Sequence, residues 1–163
     1  MHQRQAPTKN TNTERQAQPA GGAYSLPGAG KKPLTRDVGH IDKKGRATIV
    51  IIKTLRDVPL GKATGYEGVS KMIVLGPDDG STEIVLRHFS LASKAASPHH
   101  AHGFPHLVKV EAGNGVVTDG KKMEHRLQEG DYVFIGDNEM HQFKNTGTEP
   151  FEFICMVPGR GET

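Results

Sequence analysis

The sequence predicts an all-β chain, because short apolar runs alternate with turn-forming clusters and no segment keeps a helical period over ten residues or more. Many short strands at this spacing indicate a sandwich, jelly roll or barrel. At 163 residues the chain fits one domain able to bury a core without disulfide or metal staples.

Taken in order, residues 1–36 are rich in Gln, Thr, Asn, Pro and Gly, with little to bury, so a disordered polar and basic tail is expected there. Residues 37–57 carry "ATIVIIKT", an apolar strand ahead of the main body. Residues 58–163 hold the remaining runs: "KMIVLG", "EIVLRHFSL", "HLVKVEA", "GVVTDG", "KMEHRL", "DYVFIG", "MHQFKN" and "FEFICMVP". Their separators are turn material. "GPDDGST" joins two runs, Asp119-Gly120 suits a tight hairpin, "NTGTEP" precedes the last strand, and "GKATGYEGVS" reads as a loop.

The net charge of +3 does not argue for nucleic acid, because the first 36 residues carry +5 and the remaining 127 carry −2. Cys155 is the sole cysteine, which rules out an intrachain disulfide and makes a reducing cytoplasm the expected location. The N-terminus lacks an apolar h-region and nowhere do 18 apolar residues run together, so neither a secretory signal nor a membrane span is expected.

"HHAHGFPH", residues 99–106, holds four of the nine histidines. If that stretch is extended, His100, His102, Phe104 and His106 share one face and His99 points away. A fourth imidazole has to arrive from elsewhere in the fold, and "GDYVFIGDNEMHQFKN" supplies His141 just after a turn. Four neutral imidazoles suit a first-row transition metal, whereas Mg and Ca prefer oxygen. Taken alone, "HHAH" also fits a solvated loop.

The spacing of both stretches resembles the two motifs of the cupin superfamily. "HAHGFPHLVKVEAG" fits H-x-H, three residues, a third ligand, six residues and Gly; "GDYVFIGDNEMHQFKN" fits Gly, five residues, a Pro-x-Gly-type turn, two residues, His, three residues and Asn. There are two departures. His106 stands where many cupins have Glu, and the turn reads Gly136-Asp137-Asn138, in which Gly and Asn can supply a positive φ. Imidazole in place of carboxylate leaves the ligand set neutral and favours anionic ligands at the metal. The segment from about Val58 to Gly161 is similar to the small four-histidine monocupins, a group with manganese-binding bacterial members.

The resemblance implies a double-stranded β-helix, the cupin or jelly-roll barrel. In its lumen His100, His102, His106 and His141 would hold one divalent transition metal per chain, manganese first, then iron, zinc, nickel or copper. It also implies a homodimer formed through sheet edges and N-terminal segments, for which "ATIVIIKT" is the candidate. It transmits no substrate.

Phe104 lies between the ligands, and if alternation turns it, Phe143 and Phe153 toward the lumen, the site favours a small, largely apolar organic substrate; Phe143 and Phe153 equally fit plain core packing. Cys155 shares the face of Phe153, as a small buried hydrophobe or as a thiol beside the metal. Arg87, in mid-strand, either orients an anionic substrate or pairs with an acid. His88 points opposite to Arg87, and His2, His40 and His125 are expected to be solvated. G-x-S-x-G, the phosphate-binding loop and a dinucleotide fingerprint in its strand-to-helix context are all absent from the sequence. The function expected is a metal-dependent oxidoreductase of dioxygenase or peroxide-using type. The alternatives are a non-redox isomerase, lyase or cyclase using the metal as Lewis acid, and a metal-containing binding module.

Overall fold

The computed structural model describes residues 36–41, 47–59, 61–62 and 66–162. Its strands are β1 (Arg36–Ile41), β2 (Ala47–Ile52), β3 (Gly61–Lys62), β4 (Val69–Leu75), β5 (Ile84–Leu91), β6 (His106–Ala112), β7 (Asn114–Thr118), β8 (Glu124–Gln128), β9 (Tyr132–Ile135), β10 (Gln142–Asn145) and β11 (Phe151–Pro158). Helical structure among the described residues is limited to short 3-10 turns. None of it is long and apolar enough to cross a membrane.

Period-two burial builds the core. Along β11, Phe151, Phe153, Cys155 and Val157 are buried while the residues between them are partly or fully exposed. This strand lies between β5 and β6 in a six-stranded antiparallel sheet of order β3-β4-β5-β11-β6-β9. A three-stranded sheet, β10-β7-β8, packs against it. The two sheets close where Phe143 of β10 meets Phe153, ring centroids 4.6 Å apart, in one cluster with Val85, Leu91, Val110, Val117 and Leu127. Each large apolar side chain removed from water there contributes about 1.5–3 kcal/mol. The expected all-β double-stranded β-helix is therefore what forms.

The motif residues outside the histidine cluster are structural. Gly113 has φ +78°, and a Cβ there would sit 2.2 Å from the carbonyl oxygen of Pro150, so only glycine fits. Asn145 is buried; its Nδ2 donates to the carbonyls of Leu91 and Glu149, both at 2.8 Å, and its Oδ1 accepts the Gly147 N–H at 2.7 Å. One side chain thus shapes the β10–β11 turn and ties it to β5.

Three local features differ from the sequence expectation. "RDVGHI" is not among the runs expected as strands, yet it forms β1 and pairs antiparallel with β2, from Arg36 opposite Ile52 to Ile41 opposite Ala47. The β7–β8 connection is longer than a tight Asp-Gly hairpin. Asp119 Oδ1 accepts the N–H groups of Lys121 and Met123, each at 2.9 Å, and Lys122 rather than Gly120 takes the positive φ, 62°. The two-residue strand β3 opens the stretch read as a Gly-rich loop, and β4 begins at Val69 within it. Apart from Arg36, the tail assigned to residues 1–36 lies outside the described residues, as does the side chain of His40.

Candidate metal centre

Two loops and one strand bring the imidazoles together. His100 and His141 face each other across an isolated antiparallel bridge, with His100 N–H donating to the His141 carbonyl at 3.1 Å and the reverse bond at 2.9 Å. Asn138 has φ 62° and its N–H donates to the carbonyl of His102 at 2.8 Å, which hooks the second motif's turn onto the first motif's loop. Of the two turn residues expected to supply the positive φ, Asn138 does and Gly136 does not. His106 opens β6 opposite Ile135 of β9. The convergence therefore does not come from a single extended strand: residues 101–105 form a loop, and only His106 belongs to a sheet ladder.

One ring nitrogen each of His100, His102 and His141 lies within 4.8 Å of the other two. The fourth imidazole closes the group, with His106 Nε2 2.8 Å from His102 Nε2 and the His106 and His141 ring centroids 4.9 Å apart. The outward nitrogens are all engaged. Nδ1–H of His100 donates to the Pro98 carbonyl at 2.9 Å, that of His102 to Phe104 at 3.2 Å, and that of His141 to Glu139 at 2.8 Å. A carbonyl only accepts, so each of these rings carries its proton on Nδ1 and keeps a bare Nε2. His106 differs in that its Nδ1 faces Cys155 Sγ at 3.3 Å.

This donor set fits a transition metal. Imidazoles oriented by hydrogen bonds at the far nitrogen are the usual arrangement of metal-binding histidines. The 2.8 Å between the Nε2 atoms of His102 and His106 is close to the roughly 3 Å between neighbouring ligand atoms bonded to one ion at about 2.1 Å and at right angles. Electrostatics keeps three of the rings in the ligating form. Burial, reinforced by the charge of Arg87, holds His106 down to about 3, and burial likewise lowers His102 and His141.

The surrounding residues fall into an apolar wall and a polar chain. Phe104 stacks on His102, centroids 3.8 Å apart and planes 6° from parallel, and Gly161 packs against the outer side of its ring. Phe143 lies edge-on to His141 at 6.4 Å, and Phe153 lies one ring further in. Behind His106, Cys155 accepts a bond from Arg87 Nη2 at 3.1 Å, and Arg87 Nη1 pairs with Glu162 at 3.4 Å. Glu162 is held in turn by Lys71. Burial pushes the Cys155 thiol up, with Arg87 opposing, so sulfur keeps its proton at neutral pH.

The structure thus groups His100, His102, His106 and His141, lines them with Phe104 and Phe143, and connects Cys155 and Arg87 to His106. Arg87 pairs with an acid, and His88 is buried on the opposite face of the sheet, 3.9 Å from Glu152. His99 and His125 are exposed and both bond to Asp119. Glu162 and Lys71 escaped the sequence reading. Nothing in "GRGET" signals that a carboxylate 75 positions after Arg87 returns to neutralise it.

Residues 87–157 match the family model described as a cupin domain. Among solved structures the fold is similar to the polyketide cyclase RemF from Streptomyces resistomycificus (TM-score 0.61, 20% identity, 66% of this chain and 80% of that one). It is also similar to a cupin-2 domain protein from Rhodospirillum rubrum (TM-score 0.56, 23% identity, 66% and 73%). A third likeness is to a predicted oxalate decarboxylase from Thermotoga maritima (TM-score 0.54, 21% identity, 62% and 90%). No curated protein matches the sequence. The matched segment begins at Arg87, ends at Val157 and contains all four clustered histidines, Phe104, Phe143, Phe153 and Cys155. The segment 87–157 is similar to a cupin domain, and the double-stranded β-helix built around it has the cupin fold.

Proposed function

We propose that this chain is a metal-dependent monocupin that binds one divalent first-row ion, manganese first, on His100, His102, His106 and His141, and transforms a small, largely apolar organic molecule beside it. The observation that carries the reading is the convergence of four imidazoles, three of them with Nδ1 at a backbone carbonyl and Nε2 left free for the ion. When bound, the ion supplies Lewis acidity toward a substrate oxygen and, for manganese or iron, redox capacity toward dioxygen or a peroxide. The chain's own residues do the rest. A neutral ligand set leaves the site cationic and draws an anionic oxygen of the substrate to it. Phe104 and Phe143 exclude water from one side and offer flat apolar surface to the carbon skeleton. Arg87 is already paired, so it reaches the centre only through Cys155.

An oxidoreductase of dioxygenase or peroxide-using type is the first reading of the reaction. Non-redox isomerase, lyase or cyclase chemistry is the second, and the fold's likeness to a polyketide cyclase favours it. Elemental analysis of untagged protein, followed by oxygen uptake with aromatic, diketone and alkene substrates, separates them. Substrate-dependent oxygen consumption supports the first, and turnover without it supports the second. A ligand-dependent thermal shift with no turnover at all would instead indicate a binding module. We place the protein in the cytoplasm as a homodimer, with β2 contributing an edge to the partner; light scattering that found a stable monomer would remove that part.

A further inference from the structure

Three of the clustered histidines have a carbonyl at Nδ1, whereas His106 has a thiol, and the difference has a chemical consequence. His102 donates from Nδ1, so its Nε2 is a bare acceptor. His106 Nε2 lies 2.8 Å from it, a distance that two lone pairs do not tolerate and that requires either a proton or a cation between the atoms. Without a cation the proton sits on His106 Nε2 and is donated to His102. His106 Nδ1 is then bare, and Cys155 S–H, 3.3 Å away, donates to it. With a cation in the cluster, His106 has to present a bare Nε2, carry its proton on Nδ1 and donate to sulfur instead.

We propose that Cys155 is a positioning residue for His106, the reversible hydrogen-bond partner that lets this one imidazole change tautomer as the ion enters; the proposal rests on the metal reading above. A thiol can do this because sulfur both donates and accepts, which a carbonyl cannot. Protons balance: both forms hold one on sulfur and one on the ring. As the ion enters, the ring proton leaves Nε2 for water, Nδ1 takes one up, and the S–H turns off the ring. Arg87 fixes the sulfur throughout, donating from Nη2 at 3.1 Å, and Glu162 and Phe89, whose ring centroid lies 5.3 Å from the guanidinium carbon, fix Arg87. Cys155 is buried, so no water replaces it in this role.

The test uses zinc, a diamagnetic probe, with nitrogen-15 histidine NMR on the full chain. In metal-free protein His106 should be protonated on Nε2 and His100, His102 and His141 on Nδ1; zinc should move His106 alone to the Nδ1 form. Cys155→Ser, which still donates and accepts, should keep the zinc dissociation constant within about threefold, whereas Cys155→Ala should weaken it about 10- to 100-fold. An Nδ1–H tautomer of His106 in the metal-free protein would overturn the proposal. So would a folded Cys155→Ala that binds zinc as tightly as the unsubstituted chain. If the unsubstituted chain binds neither zinc nor manganese, the metal reading falls and this proposal falls with it. A bound metal with His106 fixed as Nδ1–H throughout removes the role of Cys155 alone.

Discussion

At the scale of single residues, the account turns on His106, the imidazole that stands where many cupins carry Glu. His106→Ala should lose most of the bound metal and keep a folded barrel, while His99→Ala, whose ring is exposed and bonds the Asp119 carbonyl, should keep it. Metal content of the two purified variants checks this, and equal loss from both would discredit the ligand assignment. The same residue sets a pH dependence. In the metal-free fold His106 protonates only at about 3, against 6.5 for an ordinary histidine, chiefly because of burial. Between those values the unfolded chain binds a proton that the folded chain does not, so stability rises with pH across the window. The melting temperature of metal-free protein should therefore fall on acidification from about pH 6.5 toward pH 3. His106→Gln should flatten that slope. An unchanged slope would mean that His106 is not the buried neutral base it is taken for.

Among the elements, Asn145 deserves a direct test because one buried side chain makes three hydrogen bonds at the β10–β11 turn. Asn145→Ala leaves the Glu149 carbonyl and the Gly147 N–H to water and the buried Leu91 carbonyl without its partner, at about 1–3 kcal/mol for that buried group. Urea denaturation should show a lower midpoint, and a midpoint matching the unsubstituted chain would contradict the assignment. The strands themselves were legible in the sequence because their burial alternates: the runs quoted for β5, β6 and β11 coincide with the strands to within a residue. β1 was not, since "RDVGHI" has no apolar alternation and is held by its backbone ladder to β2. The histidine spacing picked out the four imidazoles that converge, for a partly wrong reason. Their faces are set by the Asn138–His102 bond and the His100–His141 bridge, which join segments about 40 residues apart and leave no local period to read.

For the whole molecule, the fold places the imidazole cluster where two sheets meet, with one sheet contributing His106 and the other extended by the His100–His141 bridge. Phe153 joins both sheets through Phe143, Phe89 and Phe151. Phe153→Ala should therefore cost about 3–5 kcal/mol in chemical denaturation and loosen the cluster with it. A loss well under 1 kcal/mol would mean that the sheets are not held together through that ring.

The central claim, that four imidazoles share one ion, is tested most directly by X-ray absorption spectroscopy on untagged protein loaded with manganese. The account predicts one ion per chain and a coordination shell with the multiple-scattering signature of four imidazole nitrogens. A shell of oxygen atoms alone, or occupancy far below one ion per chain at saturating metal, would contradict it.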